Sequence, residues 1–441
     1  FPPRPKGRGI HAVILMKKNL FFIPLIFIIL IFAIHHSRRY LHHHVISPDV
    51  TVAGFIQMAD GLGRQSVELI DSLKEKFDVH FQKTRPTNWQ DIPSYLRTLI
   101  QDQSRPLGKV VIFEEALSSP GPLVSKIFNK KKPNQVWLAY SMFETSKIPN
   151  AFVDNIQNHF DAVIVPDPYL IEVYKNSGVT KPIFFLPLGL DLTPFINAPL
   201  KSKKNRPFVF ANFSSCEERK NHLMMIRAFH QAFGDRNDVL LKINARRGSE
   251  EEIAAVLKEI KQLNLHNVTL TINPVDNPTY LKNFLAIDCY VSLSKGEGFS
   301  IQPREAMALG IPVIVSDNTA QSTICKSSLA KVVPSPIEEK AVYECFAQED
   351  YGNFFNVHLE DAAEAMLDMF NHYDNYLNRS MEAREWVKQY QYSQLQPIYN
   401  TLVKPKRLIL GNENLLTDNL LMTTSTELYE KYLKIHPQLK K

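Results

Sequence analysis

The sequence predicts an α/β protein built from two doubly wound units, and three observations carry this prediction. Short apolar runs alternate with segments of helical periodicity from residue 51 to the strand that ends at Ser292. A basic, polar break, KSKKNR at 201–206, divides this alternation into two halves. Each half opens with an apolar strand, a polar turn and a helix, which is how a doubly wound sheet begins.

The composition fits two ordinary domains and a tail. Of 441 residues, 44% are hydrophobic and 22% charged, which is enough for sizeable cores. The formal charge of +6 favours a negative membrane surface or a phosphate-bearing substrate as partner. No nucleic-acid motif accompanies it, so nucleic acid is not an expected partner. The four cysteines are widely spaced and lack a C-x-x-C pattern, which predicts reduced thiols and no metal site.

The N-terminus carries the targeting signal. Residues 1–15 read as an upstream segment, because Met16 followed by two lysines makes a convincing start. The uninterrupted apolar run Leu20–Ile34 reaches roughly 22 Å as a helix, which is short of a bilayer core of about 30 Å. An uncleaved signal-anchor, a cleaved signal and a shallowly inserted helix all fit this run. The polar segment after it lacks a cleavage motif, which favours an anchor and juxtamembrane segment over residues 16–50.

The N-terminal unit is predicted over residues 51–200. Thr51–Gln57 is strand-like, and the glycine turn at 60–63 leads into an amphipathic helix that runs to about Lys76. Further strands are predicted at 79–82, 109–113, 135–139 and 161–165.

The C-terminal unit is predicted over residues 201–385, with a last helical segment at 386–403. Strands are predicted at 207–212, 239–244, 268–272 and 287–292, with helices at 221–233, 250–263 and 277–286. Helical periodicity continues over 361–370 and 380–403. Residues 404–441 carry no motif and are predicted to be a flexible or partner-binding tail.

The stretch Ser294–Asn318, SKGEGFSIQPREAMALGIPVIVSDN, combines several chemical signals. Two glycines flank Glu297, and Ser300 is the predicted N-cap of a short helix that ends at Gly310. A glycine-rich turn that feeds a helix N-terminus is an anion site, because free N–H groups and the helix dipole point outward there. Glu297 and Glu305 place two carboxylates at this spot.

This stretch resembles the E-x7-E signature of family 4 retaining glycosyltransferases, with EGF, EAMA and GIPV in register. The resemblance extends to Trp137–Phe195, through ETSKIP, a strand ending in VPD, and PLGLD, and to ERKNHLMMIRAF at 218–229. It covers about residues 51–403. It implies the GT-B architecture, in which two Rossmann-like domains face a cleft: an acceptor domain (51–200), a donor domain (201–385) and a crossover helix (386–403) that returns to the first domain.

The activity implied by the resemblance is transfer of a hexosyl group from a nucleoside-diphosphate sugar to an acceptor hydroxyl, with the anomeric configuration retained. No cofactor and no metal are expected, and the absence of a D-x-D motif fits a metal-independent GT-B enzyme. A hydrolase pair of carboxylates is disfavoured, because hydrolases have no diphosphate to bind beside such a helix terminus.

By resemblance, Glu305 is expected to hold the ribose hydroxyls and Glu297 the hydroxyls of the donor sugar, since carboxylates accept strong, directed hydrogen bonds. Lys220 and Arg219 are expected to bind the diphosphate, because fixed cations stabilise the charge that develops as it departs. Glu297 and Lys220 are the predicted catalytic residues. The backbone is expected to complete the donor site at Gly298, Phe299 and Ser300.

One position departs from the family pattern. Where relatives often have Gly-Arg at the strand end, this chain has Phe213-Ser214. The missing phosphate contact is expected to come from Arg219, Arg246 or Arg247.

The N-terminal half offers further candidates. The loop with Asp60, Gly61 and Gly63 is expected to approach the acceptor or the diphosphate, the alternative being a plain tight turn. Glu144 is expected to contact acceptor or sugar, the alternative being a helix cap. Relatives place a histidine in this domain, and its counterpart here is not identified.

Membrane association indicates a lipid-linked or surface-glycan acceptor. Cytosolic donors place the catalytic domain on the cytoplasmic face, with a lumenal orientation left open; a glycosylation sequon at Asn212, beside the expected donor site, disfavours the lumen. A second hypothesis is a membrane-tethered, non-catalytic GT-B scaffold or partner subunit. The Phe213-Ser214 departure favours it, and the intact E-x7-E pair with Lys220 opposes it.

Overall fold

A computed structural model describes Ile31 and residues 47–57, 60–86, 88–117, 122–133, 135–273, 275–343 and 349–403. Residues 1–15, the tail 404–441 and, apart from Ile31, the predicted anchor lie outside this description. None of the described helices is both long and apolar enough to cross a membrane. The α/β class is confirmed, because the described residues form two parallel six-stranded sheets and an antiparallel hairpin.

The N-terminal sheet contains six parallel strands: β1 (Val50–Gly54), β2 (Val79–Lys83), β3 (Val110–Glu114), β4 (Val136–Tyr140), β5 (Ala162–Val165) and β6 (Ile183–Phe185). Their order is β2-β1-β3-β4-β5-β6. Every residue of β1 is buried, as expected for a strand of a parallel sheet covered on both faces. The chain turns to opposite sides of β1, so the topological switch point lies at the carboxyl ends of β1 and β3.

The helices of this half are α1 (Gly61–Leu73), α2 (Arg97–Gln101), α3 (Pro122–Phe128), α4 (Asn150–His159), α5 (Pro168–Asn176) and α6 (Thr193–Asn197), with 3-10 turns at Trp89–Asp91 and Ser94–Leu96. Helix α1 is capped by Asp60, whose carboxylate accepts hydrogen bonds from the N–H groups of Leu62 and Gly63. A Cβ on Gly63 would lie 2.5 Å from the backbone nitrogen of Gln57, so only glycine fits this turn.

The C-terminal sheet also contains six parallel strands: β7 (Phe208–Asn212), β8 (Val239–Ala245), β9 (Val268–Ile272), β10 (Cys289–Ser292), β11 (Val313–Asp317) and β12 (Lys331–Pro334). Their order is β12-β11-β10-β7-β8-β9. The switch point of this sheet therefore lies at the carboxyl ends of β7 and β10. The loops that follow these two strands carry the motifs singled out in the sequence.

The helices of this half are α7 (His222–Phe233), α8 (Glu250–Gln262), α9 (Asn277–Leu285), α10 (Ile301–Ala308), α11 (Ser322–Cys325), α12 (Leu359–Asn371) and α13 (Tyr373–Leu377), with 3-10 turns at Glu218–Lys220 and Thr319–Gln321. Ser300 occupies the predicted N-cap position of α10. Ser300 precedes α10 but has φ of 68° and makes no capping bond; its hydroxyl donates to Gln321 Oε1 at 3.2 Å instead.

The predicted helix at 380–403 is broken into α14 (Ser380–Val387), a 3-10 turn (Lys388–Tyr390) and α15 (Tyr392–Leu402). This segment returns to the N-terminal half and packs on α1. The hydroxyl of Tyr399 donates to the carbonyl of Pro187 at 2.8 Å, and the Leu190 N–H donates to the carbonyl of Tyr390 at 2.8 Å.

A hairpin that the sequence pattern did not predict follows β12. Its strands are β13 (Ile337–Lys340) and β14 (Asn353–Asn356), paired antiparallel. β13 reads IEEK, which is too short and too charged to stand out as a strand. We call residues 337–343 and 349–356 the strap, because they contact both halves of the protein.

Candidate functional site

The predicted diphosphate cations and a predicted carboxylate meet at the switch point of the C-terminal sheet. Arg219 and Lys220 end the 3-10 turn after β7, and Glu297 lies in the loop after β10. Lys220 Nζ lies 2.5 Å from Glu297 Oε1, and Arg219 Nη1 lies 3.2 Å from Glu297 Oε2. We call these three side chains the cationic cluster.

The cationic cluster is shielded from water, with its side chains between 11 and 15% exposed. Burial raises the pKa of Glu297, but Lys220 and Arg219 outweigh this effect and hold that pKa below its ordinary value. Burial and the neighbouring charge of Arg219 lower the pKa of Lys220. The carboxylate is therefore ionised, and each of its oxygens is held by a cation.

Glu144 joins this cluster from the N-terminal half. It lies in the loop after β4, and its Oε1 is 3.3 Å from Arg219 Nη2. Arg219 also donates through Nη1 to the carbonyl of Gly296 at 2.7 Å. The alternative reading of Glu144 as a helix cap is wrong, because it contacts a cation of the facing half.

Glu305 is fully buried in α10, and both of its oxygens accept hydrogen bonds. Arg64 Nη1, from α1 of the N-terminal half, donates to Oε1 at 2.7 Å. The hydroxyl of Tyr280, from α9, donates to Oε2 at 2.7 Å. The predicted ribose carboxylate is thus bound by groups from both halves.

The glycine turn before α1 also faces the C-terminal half. Asp60 Oδ2 lies 2.9 Å from Arg247 Nη2. A Cβ on Gly61 would lie 3.5 Å from Cδ1 of Ile301, the first residue of α10. The loop with Asp60, Gly61 and Gly63 therefore lies over the start of α10.

The predicted backbone contacts at 298–300 surround a buried aromatic side chain. Phe299 is 2% exposed and its ring packs on Tyr390 at a centroid distance of 5.5 Å. A Cβ on Gly298 would lie 3.1 Å from the side chain of Met142 in the other half. The ring of Phe299 is therefore part of the core.

A cavity of about 340 Å³ adjoins Glu305, between α1 and α9. Arg64, Glu68, Arg246 and Tyr280 line it. The guanidinium of Arg246 lies 3.9 Å from the ring centroid of Tyr280. A second cavity of about 250 Å³ shares Arg246 and Tyr280 and opens at the carboxyl ends of β8 and β9.

The position that departs from the family pattern carries no charge. Phe213 is 3% exposed and packs on the rings of Tyr280 and Phe284. The Ser214 hydroxyl donates to Asn212 Oδ1 at 2.6 Å. Of the three arginines expected to compensate, Arg219 lies in the cationic cluster, Arg247 pairs with Asp60 and Arg246 stacks on Tyr280.

Several site residues had no signal in the sequence. Arg64 and Glu305 are 241 positions apart, and Tyr280 is 25 positions from Glu305, so no spacing rule connects them. Burial raises the pKa of Glu68, which pairs with Arg64, to about 7. Glu114, at the end of β3, is fully buried; neither of its oxygens has a hydrogen-bond partner among the described residues, and burial raises its pKa well above the ordinary value.

Within the described ranges, no three His, Cys, Asp or Glu side chains are placed to hold a metal ion. Metal independence and the absence of a cofactor remain predictions. Cys216, Cys289 and Cys325 are buried and free, while Cys345 lies outside the described residues.

Part of the chain is similar to a known protein family. Residues 196–341 match the model of the family described as Glycosyl transferases group 1. A curated relative, "Uncharacterized protein 356" of Sulfolobus islandicus rod-shaped virus 1, is 20% identical over 270 residues, which is 58% of this chain and 72% of that protein.

Several solved structures have a similar fold. Sucrose-phosphate synthase of Thermosynechococcus elongatus has a TM-score of 0.59 and 16% identity over 80% of this chain and 98% of its own. HepE of Anabaena has a TM-score of 0.55 and 13% identity over 80% of this chain and 99% of its own. TarM of S. aureus has a TM-score of 0.51 and 19% identity over 70% of this chain and 57% of its own.

These likenesses establish the fold. The described chain has a GT-B-like α/β fold with two parallel sheets, as the sequence predicted, and its residues 196–341 are similar to group 1 glycosyl transferases. Membership of family 4 remains a prediction.

Proposed function

We propose that this protein transfers a sugar from a nucleoside-diphosphate sugar to a hydroxyl of its acceptor, with retention of the anomeric configuration. The cationic cluster carries the proposal. Two buried cations and a buried carboxylate lie together at the point of a doubly wound sheet where ligands bind. A structural ion pair on the surface would need none of this burial.

Charge balance supports a diphosphate ligand. Arg219 and Lys220 face two carboxylates, Glu297 and Glu144, so the charges of these four side chains balance one another. A bound diphosphate would bind the two cations in place of Glu297, whose carboxylate would then accept hydrogen bonds from sugar hydroxyls, while Glu144 stays in contact with Arg219. As the nucleoside diphosphate departs, Lys220 and Arg219 would stabilise the negative charge that develops on it.

The nucleoside would lie beside Glu305. The first cavity adjoins this residue, and the second, which shares Arg246 and Tyr280 with the first, opens at the carboxyl ends of β8 and β9. Glu305 would accept hydrogen bonds from the ribose hydroxyls, since each carboxylate oxygen has a second lone pair besides the one used by Arg64 or Tyr280.

Similar structures favour a uridine nucleotide as the first donor to test. The HepE structure is a complex with UDP and glucose, and a mutant TarM was solved with UDP and α-GlcNAc-glycerol. We propose a glycan or lipid-linked glycan as acceptor, and a membrane-associated enzyme whose catalytic domain faces the cytoplasm. Asn212, the sequon beside the site, is 2% exposed and donates to the Val291 carbonyl, so glycosylation there is incompatible with the fold.

The test is calorimetric titration with UDP-, GDP- and ADP-glucose, followed by product analysis with the donor that binds. Lys220→Ala should weaken binding of that donor at least about tenfold, because a buried cation that contacts phosphate contributes on the order of 1.5–3 kcal/mol. Lys203→Ala, an exposed lysine of the linker, is the matched control. Unchanged binding by the Lys220 variant would contradict the assigned role, and an inverted product anomer would contradict retention.

A non-catalytic scaffold is the second candidate. The observation in its favour is that both oxygens of the fully buried Glu305 are already bonded within the protein. A scaffold would bind no member of the donor panel, so the same titration separates the two candidates.

A further inference from the structure

The strap follows the C-terminal sheet in the chain but packs into the core of the N-terminal half. Ala341, Tyr351 and Phe354 are 3% exposed or less and belong to the hydrophobic cluster of the N-terminal sheet. Phe143, in the loop after β4, lies next to two strap tyrosines, with centroid distances of 5.2 Å to Tyr343 and 6.3 Å to Tyr351. The strap is therefore part of the acceptor half in terms of packing.

Hydrogen bonds fix the strap to the segment that carries Glu144. Thr145 Oγ1 donates to the carbonyl of Tyr351 at 2.6 Å. The Ser146 N–H donates to the carbonyl of Asn353 at 3.2 Å, and the Asn353 N–H donates to Ser146 Oγ at 2.9 Å. The approach is so close at Gly352, which has φ of +69°, that a Cβ there would lie 2.4 Å from Ser146 Oγ.

The other side of the strap contacts the donor half beside the cationic cluster. The Phe355 N–H donates to the carbonyl of Lys295 at 2.9 Å, and Lys295 Nζ lies 2.7 Å from Glu339 Oε2. Asn221 Nδ2 donates to Asn356 Oδ1 at 2.8 Å. Lys295 is two residues from Glu297, and Asn221 follows Lys220, so the strap contacts both loops of the cluster.

Tyr343 connects the strap to the site itself. Its hydroxyl donates to Glu144 Oε2 at 3.2 Å, while Oε1 of the same carboxylate lies 3.3 Å from Arg219 Nη2. The Tyr343 ring is held between Phe143 and Phe354, with centroid distances of 5.2 and 5.7 Å. Glu144 is 26% exposed, so without this hydroxyl its carboxylate is able to turn towards water.

We propose that Tyr343 is a positioning residue for the proposed transfer reaction, acting through Glu144 on the guanidinium of Arg219. The inference rests on the proposed function, because it concerns how the diphosphate cations are aimed. A guanidinium binds phosphate through a planar fork, so its orientation matters as much as its charge. The strap thus supplies to the donor site a contact that neither doubly wound unit contains.

The test is a double-mutant cycle of Tyr343→Phe and Glu144→Ala, read out by calorimetric titration with UDP. Tyr343→Phe removes a hydroxyl and leaves every charge in place, so we expect UDP affinity to fall by roughly three- to tenfold through loss of orientation alone. In the Glu144→Ala background the same change should have no effect. Tyr376→Phe, which removes a hydroxyl bonded to Asp368 on a different helix, is the control and should bind UDP like the wild type.

The outcomes separate the two proposals. If the wild type binds neither UDP, GDP nor ADP, the proposed function fails and this inference fails with it. If the wild type binds UDP and Tyr343→Phe binds it equally well, only this inference fails. An effect of Tyr343→Phe that persists in the Glu144→Ala background also overturns it, because the tyrosine would then act by another route.

Discussion

Replacing Gly296 by alanine is the most direct test of how closely the two halves meet at the site. A Cβ on Gly296 would lie 2.0 Å from the carbonyl oxygen of Glu144 and 3.3 Å from Cδ1 of Phe354. Cβ atoms do not approach other heavy atoms closer than 3.0 Å, so the two backbones must separate by at least 1.0 Å. A rotamer change at Glu144 does not relieve the first contact, because that contact is with the Glu144 backbone.

The cost follows from this geometry. Overpacking in a well-packed interior costs about 1–3 kcal/mol. Because the added Cβ meets the backbone of Glu144, we expect Gly296→Ala to lower the free energy of unfolding by about 3 kcal/mol. The separation also moves Glu144 away from Arg219, whose Nη1 donates to the Gly296 carbonyl. We therefore expect both a lower free energy of unfolding in urea and weaker UDP binding by calorimetry.

Gly61→Ala is the matched control. It adds the same methyl group to the other loop of the cleft, where the nearest atom, Ile301 Cδ1, is 3.5 Å away at an ordinary contact distance. Alanine also favours the first turn of α1 more than glycine does. If Gly296→Ala unfolds at the same urea concentration as Gly61→Ala, the close approach of the two halves described here is refuted.

Three further predictions concern buried ionisable side chains. Burial raises the pKa of Glu68 from 4.5 to about 7, so the stability given by its neutral form is complete below pH 4.5 and lost as pH rises through 7. Relative to Glu68→Gln, the wild type should lose about 2.5 kcal/mol of unfolding free energy between about pH 5 and pH 8. Burial lowers the pKa of His80 from 6.5 to about 4, so the stability given by its neutral form is complete above pH 6.5 and lost as pH falls through 4. His80→Gln should therefore remove about 3 kcal/mol of the loss of unfolding free energy at acid pH. An unchanged dependence of the unfolding free energy on acid pH would contradict this. Arg64→Met leaves the carboxylate of Glu305 buried without its cation and should lower the unfolding free energy by about 3 kcal/mol in urea, while the double variant Arg64→Met/Glu305→Met should recover most of this loss.

The sequence predicted the sheets well because a buried parallel strand has a local signature. Val268–Ile272 was predicted with its observed bounds, and the other predicted strands differ from the observed ones by one to three residues at an end. The departures from the prediction have long-range causes. Ser300 occupies the predicted N-cap position but makes no side-chain capping bond, because its hydroxyl donates to Gln321, 21 positions later. The helix at 380–403 breaks because residues 388–391 bend to pair with Leu190 of the other half.

The strap shows where periodicity is uninformative. Its strands are four residues long and one of them is largely charged, so hydrophobic pattern does not mark them. What buries Tyr351 and Phe354 is the core of the N-terminal half, and not a neighbouring segment of the chain. The position of this hairpin is decided by long-range packing.

By itself, the sequence determined the two doubly wound units and the loops that carry Arg219, Lys220 and Glu297, because apolar strand runs and glycine turns are local signals. Only the tertiary structure decided the partners of those charges. Glu305 is bonded to Arg64, and Arg219 to Glu144, across the cleft between the two units. An ion pair between two units depends on how they are oriented, and no spacing within either unit encodes that orientation.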